Sequence, residues 1–288
     1  YLDNIIMPDT EVTDEFIDIK GGWVMDPVVG KHRWIVSFDF ASLYPSVMRA
    51  YNMSPETILK PHELNDNLRY VQKLLLNGTN NVQDEDNFIN LSDEDKKKIE
   101  VIVKAENVCV GGNGVFFRRD KKGVIPTLLE KLYNERKKFK KDMLKYKQMT
   151  IDATTNEDKE EFKLKSEQFH IMQMVNKILL NSLYGSLGNK YMPIFNPDIA
   201  RAVTQNGRIS NKFVAHSLNK EYESKGHKNL VISGDTDSVY LQLGKIGDDL
   251  IKDKLEYNNK IDAIDNYCKD VLNPLIQNYL TIVTGTLN

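Results

Sequence analysis

Cysteine is scarce in this chain, which has only Cys109 and Cys268 among its 288 residues. The two lie far apart in sequence, so they form neither a metal-ligand cluster nor the framework of a small disulfide-rich domain. We expect buried free thiols in a reducing compartment. Long apolar runs are also missing, since no stretch approaches the ~20 residues that cross a bilayer, and no signal peptide opens the chain. These features argue against membrane-spanning and secreted proteins.

Charge is abundant but unevenly distributed. The net charge is −2, with 28% charged and 41% hydrophobic residues, as in a folded globular protein. Residues 118–147 hold twelve basic and four acidic residues, a local charge of +8 that leaves −10 for the remainder. Such a segment indicates a polyanion site, although a solvated helix face has the same composition. The chain begins at Tyr1 rather than at methionine, which is expected of a processed product or a fragment.

Hydrophobic periodicity predicts both strands and long helices. Short strands and turns are expected in residues 1–33, an irregular path in 47–60 and a surface insertion without chemistry in 79–98. A strand is predicted at 34–38, with β-hairpins at 108–117 and 230–243. Helices are predicted at 64–76, from Pro126, at 158–187, from Asn196, and at 259–280 with a kink at Pro274.

The two central helices are joined by a short polar segment, residues 150–158. Two long helices with such a connection form an antiparallel hairpin. Because this hairpin is long and highly charged, we expect it to project from the body of the protein.

The stretch around Asp39 predicts a site for a cation and an anion side by side. Asp39 follows the apolar alternation of the first strand directly, and Ser42, Leu43 and Tyr44 come next. Pro45 has no backbone N–H, so the strand is expected to end there. A carboxylate beside a turn with available N–H groups suits a metal–triphosphate complex. The alternative is an ordinary exposed acid before a turn.

A second acidic turn lies between the strands of the 230–243 hairpin and contains Asp235 and Asp237. Crowded acids repel one another, so a cation is a natural neighbour, although aspartate is also common in plain turns. If the two strands are neighbours in one sheet, Asp39 and Asp237 meet at its edge. Two such carboxylates can bridge a pair of Mg²⁺ ions about 3.5–4 Å apart, the arrangement of in-line phosphoryl displacement.

The helical hairpin offers cations at spacings that fit a phosphate site. Arg136 and Lys140 are four residues apart on the first helix, and Lys177, Asn181 and Tyr184 share a face of the second. Arginine binds phosphate through two N–H groups, while lysine supplies a point charge. Most of the other basic residues nearby are expected on a solvated face.

Three motifs in this order resemble those of the family B (polymerase-alpha-like) DNA polymerases. They are Asp39-Phe-Ala-Ser-Leu-Tyr-Pro-Ser46, Lys177-Ile-Leu-Leu-Asn-Ser-Leu-Tyr-Gly185 and Gly234-Asp-Thr-Asp-Ser238. The flanking residues Asn52–Thr57, Gly123–Pro126, Asn134–Lys137 and Ser186–Asn189 are most similar to replicative polymerases of T-even-like bacteriophages. The resemblance covers most of residues 20–280.

The resemblance implies catalytic and metal-binding roles for the acids. Asp39 and Asp237 match the ligands of two catalytic Mg²⁺ ions, and the backbone carbonyl of Phe40 would add a ligand. Asp235 matches an acid that tunes the site without being a principal ligand.

It also implies a binding site for a deoxynucleoside triphosphate (dNTP). Ser42, Leu43 and Tyr44 would bind the triphosphate through backbone N–H groups, and the Tyr44 ring would exclude a 2′-hydroxyl. The side chains that would grip the phosphates are Arg136, Lys140, Lys177 and Asn181. Tyr184 and Gly185 would lie beside the nascent base pair, although Tyr184 could instead be an ordinary packed residue.

The fold implied by the resemblance is α+β, with an antiparallel sheet and packed helices as the palm and the protruding two-helix hairpin as the fingers. Residues 1–125 would form the N-terminal part of the palm with an insertion at about 60–105, residues 126–187 the fingers, and residues 188–288 the C-terminal part of the palm. The family's exonuclease and thumb find no match, so we expect a palm and fingers portion of a truncated or split polymerase.

Primer–template DNA and dNTPs are the implied substrates, in the cytoplasm of a bacterial host and without a membrane partner. A sliding clamp and a separate chain carrying thumb or exonuclease are further candidate partners. An alternative is a non-catalytic fragment that binds primer–template, with a steep dependence on salt. A reverse transcriptase or an RNA polymerase is disfavoured. Tyr44 suits the exclusion of ribose, and the turn at Asp235 lacks the Tyr-x-Asp-Asp order of reverse transcriptases.

Overall fold

A computed structural model describes residues 19–76, 86–253 and 256–288. The chain combines antiparallel sheets with packed helices, which confirms the α+β class. Predictions for residues 1–18 and 77–85 lie outside the described residues. No helix among the described residues is long and apolar enough to span a membrane.

The main sheet brings together strands from both ends of the chain. Its strands are β1 (Val24–Met25), β2 (Ile35–Asp39), β5 (Val231–Asp235) and β6 (Ser238–Gln242). Neighbouring strands run antiparallel in the order β1-β5-β6-β2. The predicted neighbourhood of the first strand and the late hairpin is therefore confirmed. A smaller hairpin of β3 (Val108–Val110) and β4 (Phe116–Arg118) was also predicted, and Gly114 adopts a φ of 75° in its turn.

Two predictions for the N-terminal half are wrong. Residues 47–50 of the stretch expected to be irregular, 47–60, belong instead to α1 (Leu43–Ala50), which buries Val47 and Met48 in the core. The rest of that stretch is irregular apart from a 3₁₀ turn at Pro55–Thr57. The insertion expected at 79–98 is not confined to the surface, since α3 (Asp86–Asn90) buries Phe88, which is 1% exposed. The region also contains α2 (Asp66–Leu76), as predicted, and α4 (Asp93–Ala105).

The long helical hairpin consists of α5 (Val124–Asp152) and α6 (Asn156–Leu187). Stacked rings hold the two helices together, with Phe169 between Phe139 and Tyr146. Not all of the apolar stripe predicted for α6 is covered, because α5 packs along one side only. Met172, Val175, Ile178 and Leu179 remain exposed.

Helix α7 (Pro197–Ser224) passes beneath the main sheet and is the most deeply buried of the described helices. The Asn196 side chain caps it by accepting from the N–H of Ile199, as its position before Pro197 predicts. Three short helices complete the fold: α8 (Lys245–Ile251), α9 (Tyr257–Tyr267) and α10 (Asn273–Leu287). A π-helical turn at Cys268–Leu272 joins α9 to α10. The helix was predicted to kink at Pro274, and the irregularity lies just before that proline.

Candidate active site

Asp39 and Asp237 meet at one end of the main sheet. Asp39 is the last residue of β2 and pairs with Ser238, the first residue of β6. The backbone N–H of Phe40 donates to the carbonyl of Asp237 over 2.7 Å, which extends the ladder into the β5–β6 turn. The end of β2 and the acidic turn therefore lie side by side.

The carboxylates in this corner interact with each other. Partial burial raises the pKa of Asp237 above its ordinary value, and the nearby Asp39 raises it further. Asp235, on the other side of the turn, adds a smaller contribution in the same direction. A cation beside Asp39 and Asp237 would relieve this repulsion.

The N-terminus of α1 faces the same corner. The chain turns at Ser42, whose φ is 53°, and α1 begins at Leu43. The first N–H groups of a helix have no partner within it and carry partial positive charge, so they suit an anion. The strand was expected to reach Pro45. It ends at Asp39 instead, and Pro45 lies in the first turn of α1, where a missing N–H breaks no helical hydrogen bond.

Cationic side chains of α5 and α6 face this corner from the hairpin. Arg136 and Lys140 come from α5, and Lys177 comes from α6 together with Asn181. The Arg136 Nη1 donates to the Ser42 hydroxyl over 3.2 Å. The spacings seen in the sequence thus direct all four side chains to one place.

A single pocket of about 510 Å³ contains both sets of charges. It is lined by the four side chains of the hairpin, by the two acids Asp39 and Asp237, and by Ser42, Leu43 and Tyr44. Ala41, Pro45 and Thr236 line it too and were not predicted as site residues, although each lies within a predicted motif. A pocket with two acids and three cations suits an anion that carries metal ions with it.

Four predicted residues do not line this pocket. Phe40 is buried, and Asp235 is exposed on the far side of its turn. Tyr184 contacts the pocket through Tyr44, with ring centroids 4.7 Å apart. Gly185 borders open space, since a β-carbon there would meet no atom within 4 Å.

Tyr44 is held firmly on its other side by Gly207 of α7. A β-carbon on Gly207 would lie 3.0 Å from the Tyr44 ring, so glycine permits this close approach. Burial, then Tyr184 and then Asp237, raises the pKa of Tyr44 to about 12, so the ring stays uncharged. Sequence reasoning missed Gly207, and its signal was an isolated glycine inside a helical pattern.

A sequence model of DNA polymerase family B matches residues 2–255. The chain belongs to DNA polymerase family B. The resemblance predicted from the three motifs is therefore confirmed.

Curated relatives of this family B chain include phage and viral enzymes. It is 26% identical to the DNA-directed DNA polymerase of Escherichia phage RB69 over 297 residues, which cover 89% of this chain and 30% of that protein. The DNA-directed DNA polymerase of Enterobacteria phage T4 shows the same identity and coverage over 299 residues. The DNA polymerase of Paramecium bursaria Chlorella virus NY2A is 31% identical over 258 residues, 87% of this chain and 23% of that protein. The family B chain thus spans about 30% of the length of the two phage relatives.

The carboxylates that line the pocket fit the needs of magnesium. No group of three or more His, Cys, Asp or Glu side chains that could hold a metal occurs in the described parts of the chain. Mg²⁺ needs only one or two carboxylates and leaves its other positions to water and phosphate oxygens. Asp39 and Asp237 beside a cationic pocket therefore fit Mg²⁺ bound together with a polyphosphate, rather than a metal enclosed by protein.

Proposed function

We propose that this family B chain is the palm and fingers portion of a template-directed DNA polymerase, which transfers dNMP from a dNTP to a primer 3′-OH and releases pyrophosphate. The observation that carries the proposal is the shared pocket, in which Asp39 at the end of β2 and Asp237 in the β5–β6 turn face three cations from the α5–α6 hairpin. On this proposal the main sheet with its packed helices is the palm, and α5 with α6 is the fingers. The printed names of the phage relatives support the reaction class.

The acids would hold two Mg²⁺ ions. Asp39 and Asp237 are the ligands, and the backbone carbonyl of Phe40, next to Asp39, adds another. Asp235 would tune the charge of the turn from its exposed position, since it already raises the pKa of Asp237. When bound, the two ions supply a lowered pKa for the primer hydroxyl and compensating charge for the departing pyrophosphate.

The hairpin and α1 would bind the triphosphate. Arg136 presents a planar fork to phosphate oxygens, and Lys140 and Lys177 add point charges. The Asn181 amide donates a further hydrogen bond, and the backbone N–H groups of the turn at Ser42, Leu43 and Tyr44 bind from below. Holding the phosphates in line with the primer hydroxyl accounts for much of the rate, because positioning and charge compensation dominate phosphoryl transfer.

The aromatic pair would select the sugar and the base. The Tyr44 ring lies between Gly207 and Tyr184 and cannot retreat from a 2′-hydroxyl, which favours deoxynucleotides. Tyr184 and Gly185 would lie beside the nascent base pair, and the open space at Gly185 supports this placement.

The partners follow from the reaction. Primer–template DNA and dNTPs are the substrates, and the reaction serves phage DNA replication in the cytoplasm of a bacterial host. A sliding clamp and a separate chain that carries a thumb or an exonuclease would be further partners.

Primer extension in the presence of Mg²⁺ tests this function. We expect the wild-type chain, supplied with thumb and exonuclease regions in trans, to extend a primer, and Asp237→Ala to lose extension while its thermal unfolding stays cooperative. Extension that survives in a folded Asp237→Ala variant contradicts the assignment.

A non-catalytic primer–template binder is the second candidate, favoured by the local charge of +8 in residues 118–147. Such a fragment would bind DNA with a steep dependence on salt but would not bind dNTP·Mg²⁺. Calorimetric titration with dNTP, with and without Mg²⁺, separates the two candidates. Saturable Mg²⁺-dependent binding that Lys177→Ala weakens supports the enzyme.

A further inference from the structure

A buried amide on α7 holds the turn that carries Asp237. The side chain of Asn211 is fully buried, and its Nδ2 donates to the carbonyl of Thr236 at 3.1 Å and to the carbonyl of Ser238 at 3.3 Å. These two carbonyls belong to the residues on either side of Asp237. One side chain therefore holds the backbone before and after the aspartate.

The turn needs support from outside the hairpin. It is a two-residue turn closed by the pair of Asp235 and Ser238, and Thr236 has a φ of 48°, a left-handed conformation that is rare for β-branched residues. Two other bonds join the turn to neighbouring strands, from the Thr236 N–H to the Trp23 carbonyl and from the Phe40 N–H to the Asp237 carbonyl, both at 2.7 Å.

Those two bonds use backbone groups on both sides, so almost any sequence would supply them. The bonds from Asn211 differ, because they require a side chain with an N–H₂ group at that position of α7. Among the described bonds that join the turn to the rest of the protein, they are the ones that a substitution can remove.

The other half of the same amide indicates why asparagine is present. The Asn211 Oδ1 is buried and has no hydrogen-bond partner in the described parts of the chain. A buried acceptor without a partner is destabilising, so it offsets part of what the two donated bonds contribute to stability. The two donated bonds are what asparagine adds.

We propose that Asn211 is a positioning residue for Asp237, which holds the Thr236–Ser238 backbone so that the Asp237 carboxylate stays directed at the metal position beside Asp39. The inference rests on the proposed function, because the direction of the Asp237 carboxylate matters only if that carboxylate binds the metal ions. Asn211 touches neither metal nor nucleotide and acts through the turn.

Asn211→Leu tests the proposal, because leucine has a similar size and lacks both donors. We expect cooperative unfolding at a somewhat lower temperature, because two carbonyls lose their donor. We also expect faster amide hydrogen exchange confined to residues 235–238 and about tenfold weaker Mn²⁺ binding, measured by calorimetry with Mn²⁺ as the probe. A residue that contributed only to stability would lower the unfolding temperature and would leave Mn²⁺ affinity unchanged.

Asn206→Leu is the matched control. Asn206 is also fully buried on α7 and also has a polar atom without a partner among the described residues, but its Oδ1 accepts from the Gly112 N–H at 2.6 Å, away from the turn. We expect this variant to unfold at a lower temperature and to keep wild-type Mn²⁺ affinity and wild-type exchange at residues 235–238.

The proposal is overturned if folded Asn211→Leu matches the wild type in exchange at residues 235–238 and in Mn²⁺ affinity. If leucine disrupts the fold, Asn211→Met provides the same comparison with a more adaptable side chain. A wild-type chain that binds no Mn²⁺ counts against the proposed function, and local exchange in the variants then decides separately whether Asn211 holds the turn.

Discussion

Arg136 of α5 donates to the Ser42 hydroxyl at the N-terminus of α1 over 3.2 Å, which joins the helical hairpin to the edge of the acidic corner. The Nε of the same guanidinium is buried without a partner in the described parts of the chain. A buried donor without an acceptor costs roughly 1–3 kcal/mol. A phosphate in the pocket could satisfy the guanidinium, so Arg136 should contribute more to anion binding than the exposed cations around it.

Arg136→Gln should therefore weaken dNTP·Mg²⁺ binding by about ten- to a hundredfold, the loss of one charged hydrogen-bonding group worth about 1.5–3 kcal/mol. Calorimetric titration measures the change. Lys138→Gln is the control, since it removes one positive charge from an exposed position of the same helix outside the pocket lining. Equal weakening by both variants would mean that general charge, and not the Arg136 fork, binds the anion.

The sequence predicted the parts of this site that depend on local pattern. Local periodicity over a few residues predicts three of these parts: the strand before Asp39, the acidic hairpin, and the shared helix face of Lys177 and Asn181. The meeting of Asp39 with Asp237 is a long-range contact, and the sequence predicted it only on condition that the two strands are neighbours in one sheet. The pairing of Asp39 with Ser238 meets that condition.

Gly207→Ala should disturb Tyr44 without weakening the fold. The new β-carbon would lie 3.0 Å from the Tyr44 ring and 3.4 Å from Leu43, so the ring must shift by a few tenths of an ångström. Alanine is also the better helix former by roughly 0.5–1 kcal/mol, which offsets part of the strain. We expect near-wild-type thermal unfolding, severalfold weaker dNTP binding and a smaller preference for dNTP over the ribonucleotide.

Gly285→Ala in α10 is the control for helix propensity, because a β-carbon there meets no atom within 4 Å. This variant should unfold at the same or a higher temperature and bind dNTP as the wild type does. If Gly207→Ala shows the same nucleotide preference as Gly285→Ala, Tyr44 does not depend on Gly207 for its position.

Features that depend on tertiary contacts were not predictable in the same way. Phe88 follows a polar, acidic stretch that has the composition of a surface loop, yet its ring is buried 6.0 Å from Phe213 of α7. On α7 itself, the apolar residues predicted a buried face, but nothing in their spacing indicated that Asn211 would reach a turn twenty-five residues later. The hydrogen-bond partners of buried polar side chains are set by the tertiary fold, and the periodicity of a sequence does not identify them.

His32 should make stability depend on pH. Its Nε2 lies 2.6 Å from the Val28 carbonyl and its Nδ1 lies 2.8 Å from Gln242 Oε1, so both nitrogens must donate, which favours the charged ring. The Val28 bond and then the Gln242 bond raise the pKa of His32 above its ordinary value of 6.5. Its contribution to stability is therefore fully present below that value and is lost as pH rises through the raised pKa.

Thermal unfolding of the wild type and of His32→Gln across this pH range measures the effect. The difference in unfolding temperature between the two proteins should be larger at about pH 5.5 than at about pH 8.5, because the contribution of the charged ring is lost as pH rises. A difference that stays constant with pH would show that the ring contributes through packing alone.

Asp237→Asn should separate stability from metal binding. Partial burial and Asp39 raise the pKa of Asp237, so the folded state binds this proton more tightly than the unfolded chain. The penalty on folding is absent below the ordinary pKa, grows as pH rises toward the raised pKa, and is complete above it. Asparagine removes that charge, and without metal the variant should unfold at the same or a higher temperature than the wild type.

Added Mg²⁺ should reverse the order. An ion that binds the folded state alone stabilises it by mass action, so the wild type should gain unfolding temperature with Mg²⁺ while Asp237→Asn gains much less. Asp249→Asn, which neutralises an exposed acid of α8, should respond to Mg²⁺ as the wild type does. Equal stabilisation of all three proteins by Mg²⁺ would mean that the ion binds elsewhere. If metal-free Asp237→Asn unfolds at a much lower temperature than the wild type, the carboxylate stabilises the turn rather than straining it.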